Sequence, residues 1–337
     1  MIIFYILAAV LGLGILYQAL SSFVDARRSL PPGRIIDAGA GKLHLDERGA
    51  GDPVVVLESG IAASSMSWAL VQPRVAEFTR VASYDRAGLG WSGRASAPRS
   101  IEQMVGELAA LLRAANLQPP YVLVGHSFGG LLIRAFAHLH PAQVAGLVFV
   151  DPVSLRLWAD CPPGERRRLR LGVSLSRRGA FLARLGVVRA ALALLASGGR
   201  RLPQWIARAS APRATGFLAS MIGQVQKLPP SLRPMVRAHW SHPKSFLAMG
   251  AYLECLPASA REALAMQIPA KIPFVILSAS TATPDEMDER NAWAAQASKG
   301  RHIVVEETGH WILLERPDVV ADAVQEIVEL ARGRLRI

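Results

Sequence analysis

Apolar and polar positions fall into three regimes along the chain. The opening stretch MIIFYILAAVLGLGILYQALSSFV has no charged side chain before Asp25. It has no polar face to point at water, and its apolar part is about as long as the roughly 20 residues that cross a hydrocarbon core, so residues 1–24 are expected to form one transmembrane helix. A cleaved signal peptide is the rival reading. The segment lacks a basic start, its apolar run is long, and no small-x-small site follows, which favours a retained signal-anchor.

After the PPG turn at Pro31 to Gly33, short β-like runs alternate with helical patterns. RIIDAG and KLHLDERG predict a hairpin around Gly39 to Gly41. VVVLES (54–59), VASYD (81–85), YVLVG (121–125), LVFVD (147–151), PFVILSA (273–279) and HIVVEE (302–307) read as buried strands. Helical spacing marks 101–116, 128–140 and 316–335. Continuous apolar strands separated by helices predict an α/β fold, a mostly parallel sheet of about eight strands with helices on both faces. The alternation stops between about Leu155 and Leu264, where helical, arginine-rich and proline-punctuated sequence intervenes. The expected organisation is therefore an anchor (1–24), a first core segment (33–154), a helical cap (155–264) and a second core segment (265–335). An insertion after a strand's carboxyl end sits over the ligand crevice of an open α/β sheet.

Charge sharpens this picture. The chain of 337 residues carries a formal net charge of +12, and twelve arginines face one acid between Glu165 and Arg213. A charge confined to one segment points to a local surface, not to a nucleic-acid partner, because aromatic interleaving and a binding fold are both missing there. The basic cap, 165–213, contains FLARLGVVRAALALLASGGRRL (181–202), whose pattern suits either an amphipathic helix on an anionic membrane or an ordinary cap helix over the site. Arg27, Arg28 and Arg34 follow the apolar helix, so the positive-inside tendency places the catalytic body in the cytoplasm. The two cysteines, Cys161 and Cys255, lie far apart without ligand spacing and read as ordinary thiols. The pairs His138/His140 and His239/His242 lack a third ligand, so no metal is expected.

The chemistry is concentrated at Gly125-His126-Ser127-Phe128-Gly129, a G-x-S-x-G between a predicted strand and a predicted helix. Small residues at 125 and 129 let strand and helix approach, and Ser127 would project from a strained turn at the positive end of the following helix. A serine hydroxyl needs a base, and His310 in EETGHWILLERPD lies in a loop between a strand and the last helix. The third member is a carboxylate between the two in chain order, with two sites open. Asp151 ends LVFVD and needs no unusual loop path to His310; Asp285 follows Pro284 and is the alternative. Backbone N–H groups of Phe128 and Ile61 are the candidate oxyanion donors. Glu58 and Ser59 are placed to buttress the turn at Gly60.

With LESGIAASSMSW (57–68), SYDRAGLGWSG (83–93), VGHSFGG (124–130), VFVDP (148–152) and TGHWILLERPD (308–318) in this order, residues 33 to 333 resemble the α/β-hydrolase superfamily. The nearer likeness is to bacterial members with an N-terminal membrane segment and a PPG-like turn. The resemblance implies Ser127 as nucleophile, His310 as base, Asp85 and Arg86 as structural residues, and no cofactor. It also implies an acid directly after 273–279, where this chain has Ser280 and Thr281 instead. The expected activity is cleavage of a small-molecule carboxylic ester, apolar or lipid-like, through an acyl-enzyme. Amidase, C–C hydrolase and cofactor-free haloperoxidase chemistry stay open on this fold, as does a non-catalytic membrane-tethered binding protein.

Overall fold

Each predicted apolar run has become a strand, and in the central strands, as the pattern implies, alternate residues are buried on opposite faces of one sheet. The computed structural model describes residues 1–39, 41–196 and 223–334. The strands are β1 (Arg34–Asp37), β2 (Lys42–Arg48), β3 (Val54–Glu58), β4 (Val81–Asp85), β5 (Tyr121–His126), β6 (Val144–Val150), β7 (Phe274–Ala279) and β8 (Gly300–Val305). Their spatial order is β1-β2-β4-β3-β5-β6-β7-β8. The β1–β2 and β2–β4 pairs are antiparallel and all others parallel. Val54, Val56, Leu123 and Phe149 enter one core, whereas Val55, Leu57, Val122 and Val148 enter another on the opposite face.

Helices numbered over the described residues are α1 (Ile2–Arg28), α2 (Gln72–Val75), α3 (Ile101–Ala114), α4 (Phe128–Leu139), α5 (Leu155–Asp160), α6 (Pro163–Arg184) and α7 (Val187–Ala196). They continue as α8 (Arg233–Trp240), α9 (Pro243–Ala265), α10 (Pro284–Ala294), α11 (Ile312–Glu315) and α12 (Pro317–Ala331). Leu108, Leu112, Leu132 and Phe136 of α3 and α4 cover one face of the sheet, and Val320, Val324, Ile327 and Val328 of α12 cover the other. Ser100 caps α3 by accepting the Gln103 N–H, and Thr283 with Glu286 forms a reciprocal capping box at α10.

Helix α1 is long and apolar enough to cross a membrane. Helices α5 to α9 interrupt the strand alternation between β6 and β7. Helix α6 packs along α9, with Gly179 against Phe246 and Gly250 against Ser176. Ties between this layer and the core include the Tyr252 hydroxyl, which donates to the Ala87 carbonyl at 2.9 Å, and Lys244 Nζ, which donates to the Gly90 and Ser92 carbonyls at 2.8 and 2.7 Å.

One expectation is corrected here. The single helix predicted over 181–202 is broken: α6 ends at Arg184 and α7 begins at Val187 with a bend of 88°. Gly186 has φ +72°, a conformation that ends a right-handed helix and suits glycine. Arg200, Arg201, Arg208 and Arg213 of the basic segment, and the remainder of 181–202 after Ala196, lie outside the described residues.

Candidate active site

Ser127 joins β5 to α4 with φ 55° and ψ −118°. A non-glycine residue there carries strain of order 1–3 kcal/mol and persists only where its neighbours over-determine it. They do. Its N–H donates to the Val150 carbonyl at 3.0 Å, and its own carbonyl accepts the Gly130 N–H at 3.0 Å. The flanking glycines are required by space: a Cβ on Gly125 would lie 2.6 Å from the Gly129 backbone, and one on Gly129 would lie 2.4 Å from the Glu58 carbonyl.

Asp151 stands at the end of β6 with φ 43°. Its N–H donates to the Leu277 carbonyl at 2.7 Å, which locks the residue against β7. Oδ1 accepts from the Ala279 N–H at 3.0 Å and from Arg290 Nη1 at 2.9 Å. Oδ2 lies 2.6 Å from His310 Nδ1. Burial pushes this carboxyl up, but the His310 hydrogen bond and the Arg290 charge outweigh burial and hold it below its ordinary value. Asp285, by contrast, is exposed in the first turn of α10 and is not brought to His310.

Ser127, His310, Phe128 and Ile61 line a cavity of about 310 Å³ together with Leu157, Trp158, Leu253 and Leu256 of the cap. Phe128 is the first residue of α4, so its N–H has no carbonyl four residues back within the helix. The turn leading to Ile61 is held from below by Arg86, which donates to the Ser59 carbonyl at 2.6 Å and the Gly60 carbonyl at 2.5 Å. Glu58 accepts from both Arg86 and Tyr84. The guanidinium lies 5.3 Å from the Phe128 ring centre and 5.0 Å from that of Tyr252. This fully buried charge thus has a paired carboxylate, two carbonyls and two π-faces around it. Asp85 serves a neighbouring turn, accepting from the Ser65 N–H at 2.7 Å and the Trp91 N–H at 2.9 Å.

Two contributors have no local signature in the sequence. Arg290 lies 139 positions from Asp151 and bridges it to Ser278 Oγ at 2.9 Å and the Pro152 carbonyl at 2.7 Å. His126 does more than fill the elbow: its Nε2–H donates to the His310 carbonyl at 2.8 Å, tying the two loops together. Burial, with the neighbouring His310 second, pushes the His126 imidazole down to about 3.

That depression predicts a pH effect on stability. The unfolded chain protonates His126 below about pH 6.5 and the folded one only near 3, so stability is full above pH 6.5 and falls on acidification through that window. Between pH 7 and pH 4 this residue alone is expected to remove on the order of 3 kcal/mol. Urea unfolding at both pH values should show a smaller loss in His126→Gln than in the unsubstituted protein; equal losses would reject the assignment.

A mainly parallel sheet with a strained serine at the β5–α4 turn and a cap between β6 and β7 is the architecture of the α/β hydrolases, and the chain belongs to that family. Residues 53–317 match the family model described as alpha/beta hydrolase fold. Over 110 residues the chain is 36% identical to the uncharacterized protein YqjL of Bacillus subtilis (strain 168), covering 32% of this chain and 44% of that one. It is 35% identical over 127 residues to the 2-hydroxy-6-oxo-2,4-heptadienoate hydrolase of Pseudomonas putida (strain F1), covering 36% and 45%. The matches therefore span less than half the length of these two relatives. The enol-lactonase structure from Burkholderia xenovorans LB400 superposes with a TM-score of 0.57 at 19% identity, covering 87% of this chain and 99% of that one, a likeness of fold.

Proposed function

We propose that the protein is a membrane-anchored serine hydrolase that cleaves carboxylic esters with apolar acyl groups. The observation that carries this reading is the convergence of a strained Ser127 and the Asp151–His310 pair, 2.6 Å apart, on one cavity walled by apolar cap residues. In the proposed reaction Ser127 Oγ attacks the ester carbonyl carbon while His310 Nε2 takes its proton. Asp151 keeps the Nδ1 proton in place and stabilises the imidazolium. The Phe128 and Ile61 amides receive the oxyanion. The C–O bond then breaks, the alkoxide leaves with the proton from His310, and water repeats the sequence on the acyl-enzyme to release the acid. No step calls for a metal or organic cofactor.

Cavity size supports a restricted acyl group. About 310 Å³ stands at the lower end of the roughly 300–1,000 Å³ that holds drug-sized ligands. Leu157, Trp158, Leu253 and Leu256 supply apolar contact for an acyl tail, with Glu286 and Arg290 also in the lining. In a series of p-nitrophenyl esters, kcat/KM is expected to peak at butanoate to octanoate and to fall at least tenfold by palmitate. A flat profile, or a palmitate optimum, would refute the size assignment; no hydrolysis of any ester would refute the ester reading.

In the same proposal, α1 crosses a bilayer and Arg27 and Arg28 in its last turn hold the body on the cytoplasmic side.

A further inference from the structure

Helix α1 does not leave the body as a free stalk. Gly14, Gln18, Ser22 and Asp25 recur at helical spacing and form one stripe that faces the cap. At Gly14 the contact is backbone to backbone: a Cβ there would lie 2.4 Å from the Leu185 carbonyl, and one on Gly186 would lie 2.7 Å from the Gly14 carbonyl. Small residues permit such close approach where helices meet in lipid. Next along the stripe, Arg189 of α7 donates to Gln18 Oε1 at 3.0 Å and to Asp25 Oδ2 at 2.5 Å. Gln18 Nε2 in turn donates to the Ser241 carbonyl at 3.0 Å. Gln18 is 6% exposed in an otherwise open helix.

Among the described residues, much of the remaining circumference is apolar and exposed beside these contacts. Leu16, Leu20 and Phe23 are 53%, 57% and 56% exposed. The uncovered apolar face thus runs from Ile2 to Val24, about 34 Å of helix, matching a hydrocarbon core of about 30 Å. The cap meets α1 at Gly14, with only about 18 Å of free helix before it. A bilayer deep enough to cover Leu16, Leu20 and Phe23 must therefore also reach the α6–α7 bend. That bend is suitably built: Phe181 and Val187 flank it and are exposed, and the polar Arg189 is directed back along α1 toward Asp25. Behind it, α6 presents exposed Arg166, Arg167, Arg170, Arg178 and Arg184, which suit lipid phosphates.

We propose that the α6–α7 bend of the cap inserts, alongside α1, into the hydrocarbon of an anionic phospholipid bilayer, making the cap a membrane-embedded part of the enzyme. This rests on α1 lying in a bilayer, as proposed above, and not on the identity of the substrate.

The test uses the full chain in vesicles of phosphatidylcholine and phosphatidylglycerol, with Cys161→Ser and Cys255→Ser as background. An environment-sensitive fluorophore is placed singly at Phe181→Cys, Val187→Cys, Leu13→Cys and Lys271→Cys, the last an exposed position just before the amino-terminal end of β7. Labels at 13, 181 and 187 should emit blue-shifted relative to 271, and should be quenched by acyl-chain nitroxides more than by iodide. Iodide quenching at 181 and 187 equal to that at 271, with 13 quenched by lipid, would overturn the insertion and leave the anchor standing. Iodide quenching at 13 as well would overturn both. Blue-shifted emission at 181 and 187 without nitroxide quenching would mean that protein, such as a second copy, covers the bend, and would also overturn it. Should a cysteine variant lose its cooperative melt, photoactivatable acyl-chain diazirine lipid applied to the unsubstituted protein gives the same answer: adducts within 181–196 are expected, and their absence contradicts the proposal.

Discussion

Ser127→Ala is expected to lower kcat for p-nitrophenyl butanoate by roughly 10⁴- to 10⁶-fold, the scale on which a nucleophile's removal disables a serine, histidine and acid acting as a unit. The change removes one oxygen from a residue that is 6% exposed, so the cavity and its apolar wall should persist. The hydrogen bonds that hold the turn, to Val150 and from Gly130 and Val153, use backbone atoms and survive the substitution. Loss of rate without loss of fold is therefore the expected combination, read by initial rates and by an unchanged melting transition. A variant retaining activity within tenfold would remove Ser127 from the chemistry.

The second large effect separates the two carboxylates left open by the sequence. Asp151→Asn is expected to lower kcat/KM by about 10³- to 10⁴-fold, whereas Asp285→Asn should change it less than twofold. The reason lies in what surrounds Asp151. Its Oδ1 position receives the Ala279 N–H and Arg290 Nη1, both obligate donors, so an asparagine would turn its carbonyl oxygen toward them. The amide NH₂ would then face His310 Nδ1 and select the imidazole tautomer protonated on Nε2. That tautomer cannot accept the Ser127 proton. Asp285 has no such surroundings, standing exposed at the start of α10. Equal losses in the two variants would mean that neither geometry governs the reaction.

The strands were legible because buried parallel strands are written as uninterrupted apolar runs, and the elbow because Gly125 and Gly129 are demanded by space on either side of Ser127. Strand ends were less so: the run predicted at 302–307 is observed at Gly300–Val305, since its outer residues are only partly buried and the pattern there is weak. The bend at Gly186 was missed because α6 and α7 share apolar and arginine content, and only the single glycine marks the break. Arg290 left no trace in the chain. It occupies one position of a short charged helix, PDEMDERNAWA, and its role comes from Asp151 and Pro152, which lie across the long crossover of the cap, and from Ser278 on the preceding strand β7. The sequence marks His126 only as part of the turn, because its bond to the His310 carbonyl spans 184 positions. Tertiary hydrogen bonds of this kind obey no periodicity, so a local pattern cannot announce them.

Labelling of the proposed nucleophile gives the most direct measurement. The full-length protein is incubated with an alkyl fluorophosphonate at pH 8 and digested, and the phosphonylated peptide is sequenced by mass spectrometry. A single adduct on Ser127 is expected, absent when the protein is first unfolded in urea, since only the fold brings the hydroxyl and His310 to one cavity. An adduct on a different serine, or none on folded protein, would contradict it.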